Sequence, residues 1–166
     1  MLIFGAAPAA AARKSDRRDV DPVFGVRGLH AGLAVVLVVE DDDTNRLIIT
    51  RQLRRMGVPV RSVVDGHLAV AAVREHRYAA ILMDCRLPTV DGFEATARIR
   101  QLESPGDERI PIIGYTANAV TEYIDRCFAV GMDGVLAKPA TSAEIHATLD
   151  PFLGLSPDEQ AASAAA

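Results

Sequence analysis

Four apolar runs in this chain each end on a polar or charged residue, and that arrangement restricts the fold more than any other feature. Ala34–Val39 runs into Glu40-Asp41, Ala80–Met83 into Asp84, Ile110–Tyr115 into Thr116, and Val135–Ala137 into Lys138. Stretches of helical period separate these runs, and strand and helix alternate five times. That alternation predicts a doubly wound α/β sheet. Parallel strands place their carboxyl ends along one edge, where open α/β sheets bind ligands. Residues far apart in sequence therefore converge on one pocket holding three carboxylates, a hydroxyl and an ammonium. Such a pocket suits a divalent cation and a phosphoryl group.

The length of 166 residues is enough for one domain with a substantial core. A net charge of −4, with only Arg13-Lys14 and Arg17-Arg18 as basic pairs in the amino-terminal part, argues against direct nucleic-acid binding. The two cysteines, Cys85 and Cys127, form no C-x-x-C spacing, so no disulfide framework or zinc site is expected. No positive charge precedes the short apolar start, and no run reaches the ~20 apolar residues of a membrane span. A cytoplasmic location, with no membrane partner, is expected.

Residues 1–33 have no sustained period and are expected to be a disordered leader or linker, 34–154 the folded domain, and 155–166 a disordered tail. Asp43 or Thr44 can cap the first helix, whose stripe is Ile49, Leu53 and Met56, with Gly57 as its stop. Leu68, Ala72 and Val73 mark a second helix after a weaker strand over Val58–Val64. Asp91-Gly92 opens a third helix carrying Phe93, Ile99 and Leu102. Val120–Val130 predicts a fourth, ended by Gly131. Thr141-Ser142-Ala143-Glu144 is a capping box for a fifth, which Pro151 should end or kink.

Taken alone, Glu40-Asp41-Asp42 is a solvated turn or helix N-terminus, Asp84 a turn former or helix cap, Thr116 a strand-end hydroxyl and Lys138 a surface lysine. Asp42 stays with that reading. For the others, like charges at adjacent strand ends raise one another's pKa unless a cation joins them. Mg²⁺ needs only one or two carboxylates and keeps water or phosphate oxygens for the rest; Ca²⁺ wants more protein oxygens. A Thr hydroxyl and a Lys ammonium supply the donors that a phosphoryl group in transfer requires.

The runs Val38–Asp41, Met83–Thr96, Tyr115–Ala119 and Gly131–Pro139 resemble the receiver domain of two-component response regulators, in wording closest to receivers of hybrid histidine kinases. The resemblance spans roughly Val35 to Leu153. It implies a flavodoxin-like five-stranded parallel sheet of order 2-1-3-4-5 with helices on both faces. It also implies that Asp84 accepts a phosphoryl group from a histidine kinase or histidine phosphotransfer protein, aided by Thr116 and Lys138. Mg²⁺ would be bound by Asp41, Asp84 and the Arg86 backbone carbonyl, and by Glu40 through water. Lys138-Pro139 would be cis, and the modified domain would present a switched surface to an unknown downstream protein.

Two residues depart from the pattern. Val135 stands where an aromatic ring is common, three residues before Lys138, and Arg86 stands two after the acceptor, where its cation would alter acyl-phosphate lifetime. Self-phosphorylation and self-dephosphorylation are expected, without a separate hydrolytic activity, since no second catalytic acid or cap domain accompanies Asp84. The flanks, about 33 and 13 residues, are too short for a helix-turn-helix or kinase domain. A stand-alone receiver or a receiver piece of a hybrid kinase is therefore expected, and a degenerate interaction module is disfavoured by the intact set. Gly25–Gly32 precedes a strand instead of following one and so lacks a nucleotide loop's context. His30, His67, His76 and His146 show no metal spacing.

Overall fold

The computed structural model describes residues 2–4, 35–104, 106 and 108–155. Its elements are β1 (Leu2–Phe4), β2 (Val36–Val39), α1 (Asp43–Arg55), β3 (Val60–Val63), α2 (Gly66–Glu75), β4 (Ala80–Asp84), α3 (Gly92–Leu102), β5 (Ile112–Thr116), α4 (Thr121–Ala129), β6 (Gly134–Ala137) and α5 (Ser142–Leu153). They form one sheet of order β1-β6-β5-β4-β2-β3. The five strands from β2 onward are parallel and run in the expected 2-1-3-4-5 order. β1 is an addition: it pairs antiparallel with β6, Ile3 opposite Val135, where the sequence predicts no strand. The rest of the expected leader, with Gly25–Gly32 and His30, and the tail from 156 onward lie outside the described residues.

Side chains alternate across each strand, so β2 feeds both faces of the sheet. Val36 and Val38 pack with Ile49 and Leu53 of α1 and Ile145 and Leu149 of α5. Leu37 and Val39 pack on the other face with Ala69 of α2, Phe93 and Ile99 of α3, and Ile124 and Cys127 of α4. Burial on both faces is why the parallel strands read as continuous apolar runs. Burying a side chain such as Leu37 or Ile49, each fully enclosed here, contributes about 1.5–3 kcal/mol.

Local signals explain most boundaries. Gly57 and Gly131 follow α1 and α4 with φ of 74° and 99°, the left-handed region that favours glycine. Thr141 and Glu144 complete the capping box of α5. Two expectations are corrected. Asp42, not Asp43 or Thr44, caps α1: its carboxylate accepts from Asn45 N–H at 2.8 Å, because the strand ends three residues earlier and the helix begins at Asp43. Pro151 neither ends nor interrupts α5, which continues to Leu153 and stops at Gly154 in the left-handed conformation. A proline in the last turn removes only one helical hydrogen bond. Leu68 and Leu102, which mark α2 and α3 in the sequence, are exposed; α2 buries Ala69, Val70 and Ala72. Among the described residues, no helix is long and apolar enough to cross a membrane.

Candidate functional site

Parallel register brings the strand ends into line. Val39 lies opposite Met83, Asp84 opposite Tyr115, and Thr116 opposite Ala137. The residue after β2 is Glu40, the last of β4 is Asp84, the last of β5 is Thr116, and the residue after β6 is Lys138. The sequence-predicted groups therefore share one edge, at the point between β2 and β4 where the order of strands reverses. Glu40, Asp41, Asp84, Arg86 and Lys138 all line one pocket there, with Asp42, Asn45 and Ala117.

Lys138 holds the acids together. Its Nζ donates to Asp84 Oδ2 at 2.7 Å and to Glu40 Oε2 at 2.5 Å, and lies 4.9 Å from the centre of the Tyr115 ring. Its backbone N–H donates to Thr116 O at 2.8 Å, tying the β6 exit to the end of β5. The Lys138-Pro139 bond is cis. Burial opposes the lysine's charge, but the hydrogen bonds and charges of Asp84 and Glu40 outweigh it and hold the ammonium above its ordinary pKa. Glu40, 1% exposed, is pushed up by burial, against the opposing pull of Lys138. The second oxygen of Asp84 accepts from Arg86 N–H at 2.9 Å. Asp84 itself is 7% exposed, so its carboxylate is fixed at both oxygens yet open to the pocket.

Asp41, unlike Glu40, is exposed. Glu40, Asp41 and Asp84 nevertheless each bring a carboxylate oxygen within 4.8 Å of the others. With Asp42 the pocket's four acids face two cations, Lys138 and Arg86, and hard oxygen donors with surplus negative charge suit a cation of the Mg²⁺ type. Thr116 is buried, and its hydroxyl accepts from Asn118 N–H at 3.0 Å.

Two supports escape the sequence reading. Arg46 donates to the carbonyls of Glu40 at 2.9 Å and Asp41 at 3.2 Å, and Asn45 reaches Glu40 Oε1 at 3.4 Å. Both sit in the first turns of α1, and their only signal was their nearness in sequence to the acids. Gly92 is the other missed element: its N–H donates to Cys85 O at 3.2 Å, and a Cβ there would stand 2.1 Å from Asp84 O. No larger residue lets α3 start against the backbone of Asp84. His67, His76 and His146 lie outside the pocket lining.

The family model for the response regulator receiver domain matches residues 36–150. The chain belongs to the receiver family. This receiver is 38% identical over 118 residues to the hybrid signal transduction protein dokA of Dictyostelium discoideum, and 37% identical over 115 residues to the sensor histidine kinase RcsC of Escherichia coli K12. The matches cover 71% and 69% of this chain but 7% and 12% of those relatives' lengths. Among solved structures, it is similar to the receiver domain of sensor histidine kinase PA1611 from Pseudomonas aeruginosa, with 42% identity and a TM-score of 0.68. That match covers 74% of this chain and 99% of the other, which was crystallised with a magnesium ion in its active-site cleft.

Proposed function

We propose that this receiver takes a phosphoryl group onto Asp84 from the phosphohistidine of a histidine kinase or histidine phosphotransfer protein. One observation carries the reading: Lys138 holds Asp84 and Glu40 at 2.7 and 2.5 Å within a cluster of three carboxylates at the sheet's carboxyl edge. A carboxylate oxygen of Asp84 forms the new bond to phosphorus as the phosphorus–nitrogen bond breaks, and the imidazole leaves. Lys138 faces the charge that builds on the phosphoryl oxygens, and the Thr116 hydroxyl, held on Asn118 N–H here, would donate to it. Asp41, Asp84 and the Arg86 carbonyl would hold Mg²⁺ directly and Glu40 through water; bound there, the ion neutralises phosphoryl oxygens. The magnesium-bound cleft of the PA1611 receiver supports that assignment.

The chemistry is confined to the domain's own phosphorylation and dephosphorylation, in the cytoplasm, and the functional unit is 34–154. Phosphorylation biases a surface that a partner protein reads. A receiver within a hybrid histidine kinase is the second reading, favoured by relatives of which this chain spans 7–12%. The test is incubation with Mg²⁺ and acetyl phosphate, followed by intact mass. The parent should gain one phosphoryl group, and Asp84→Asn or added chelator should prevent it. A parent that gains nothing, or a mutant that gains as much, overturns the reading.

A further inference from the structure

Two thiols meet beside the proposed phosphoacceptor. Cys85 directly follows Asp84, Cys127 sits on α4, and their Sγ atoms lie 3.8 Å apart, in contact. Both are free and buried. β5 makes room for them: a Cβ on Gly114 would stand 3.2 Å from Cys85 Sγ and 3.5 Å from Cys127 Sγ. To bond, the two sulfurs need to close by only about 1.7 Å.

Buried thiols are normally inert, so access decides whether the pair reacts. α4 is the helix most easily opened. It buries only Ile124 and Cys127, fewer residues than any other helix, and Val120 before it supplies no side-chain cap. Segments with few buried groups open locally at low cost. Such an opening bares Cys127 to a small solute while Cys85 stays with the sheet.

We infer that Cys85 and Cys127 are a peroxide-sensitive pair: oxidation joins them by a disulfide that pins α4 to the residue after Asp84 and slows phosphoryl uptake there. The slowing rests on the phosphoryl-accepting reading; the disulfide does not. The Cys127 thiolate attacks the peroxide, so an S–O bond forms, the O–O bond breaks and water leaves. The Cys85 sulfur then attacks the sulfenic sulfur: the S–S bond forms, the S–O bond breaks, and a second water leaves with the Cys85 proton. Two thiols are oxidised and one peroxide is reduced to two waters. Where thiols are kept reduced, the disulfides that do form are transient and serve sensing or catalysis. Asp84 feels the new bond because its carboxylate accepts at 2.9 Å from Arg86 N–H, on the other side of Cys85.

Hydrogen peroxide on the full chain, read by intact mass and thiol titration, tests the pair. The monomer should lose two hydrogens and both titratable thiols, and a thiol reductant should restore them. With Mg²⁺ and acetyl phosphate, the oxidised protein should gain its phosphoryl group several-fold to ~100-fold more slowly than the reduced one. Cys127→Ala and Cys85→Ala should each keep their rates in peroxide. Thiols that survive peroxide, cysteines that gain oxygen instead, or cross-links between chains overturn the disulfide. An oxidised form phosphorylated as fast as the reduced one, or equal slowing in either variant, overturns the regulation. A reduced parent that gains no phosphoryl group overturns the phosphoryl reading and the slowing with it, while the mass still decides the disulfide.

Discussion

Replacing Gly92 by alanine separates two reasons a glycine can be required. Its φ is not among the positive values of this chain, so no left-handed strain is expected. On conformational grounds alone, the change would stabilise the fold by about 0.4–1 kcal/mol, through a less mobile unfolded chain. The packing says the opposite. The added Cβ would stand 2.1 Å from Asp84 O and 2.9 Å from both Asp84 C and Cys85 Cα, all rigid backbone. To restore even 3.0 Å, α3 or the end of β4 must move by roughly 0.9 Å, and overpacking of this kind costs about 1–3 kcal/mol. The clash wins, with a net loss of ~1–2 kcal/mol. The displaced atoms belong to Asp84, the proposed phosphoacceptor, and a misplacement near 1 Å lowers rates by up to ~100-fold. Urea unfolding and the time course of phosphorylation by acetyl phosphate should therefore both deteriorate in Gly92→Ala. A variant as stable as the parent, phosphorylated at the same rate, would refute the steric account.

Other outcomes follow from single contacts. Arg86 lines the pocket, where its cation can hold the phosphoryl group or hinder attacking water; Arg86→Asn should lose its phosphoryl group several-fold faster, and equal decay rates would remove that role. Asp133 pairs with Arg100 at 2.8 Å and accepts from Ile112 N–H at 2.8 Å, at the sheet edge opposite the pocket. Asp133→Ala should lower unfolding free energy by about 2–4 kcal/mol while leaving phosphorylation unchanged. Glu144 accepts from Thr141 N–H in the α5 capping box at 2.9 Å, which holds its carboxyl below its ordinary value of 4.5. Its stabilisation is present above that value and is lost as pH falls through the lower, folded-state value. Glu144→Gln should flatten this acid limb in thermal melts between neutral and strongly acidic pH; an unchanged limb would show that the box contributes nothing.

Much of this molecule is set by short-range pattern. Apolar runs of strand length, helical stripes and turn glycines determine which segments are strands and helices, and the strand-terminal positions of Glu40, Asp84, Thr116 and Lys138 follow from them. What pattern cannot encode is which groups meet once the crossovers are made. Asp42 rather than Asp43 caps α1 because the helix begins at Asp43, which leaves Asp42 beside the free N–H groups. β1 joins the sheet through pairing with a strand about 130 residues away. Only the packed sheet lets one ammonium, Lys138, span Glu40 and Asp84, lets Arg46 grip two carbonyls behind them, and seats Gly92 against Asp84's own backbone. The sequence by itself determined the acids, the hydroxyl and the lysine, because strand ends are local. Tertiary structure decided how they are held, because those contacts cross between elements whose separation in sequence carries no period.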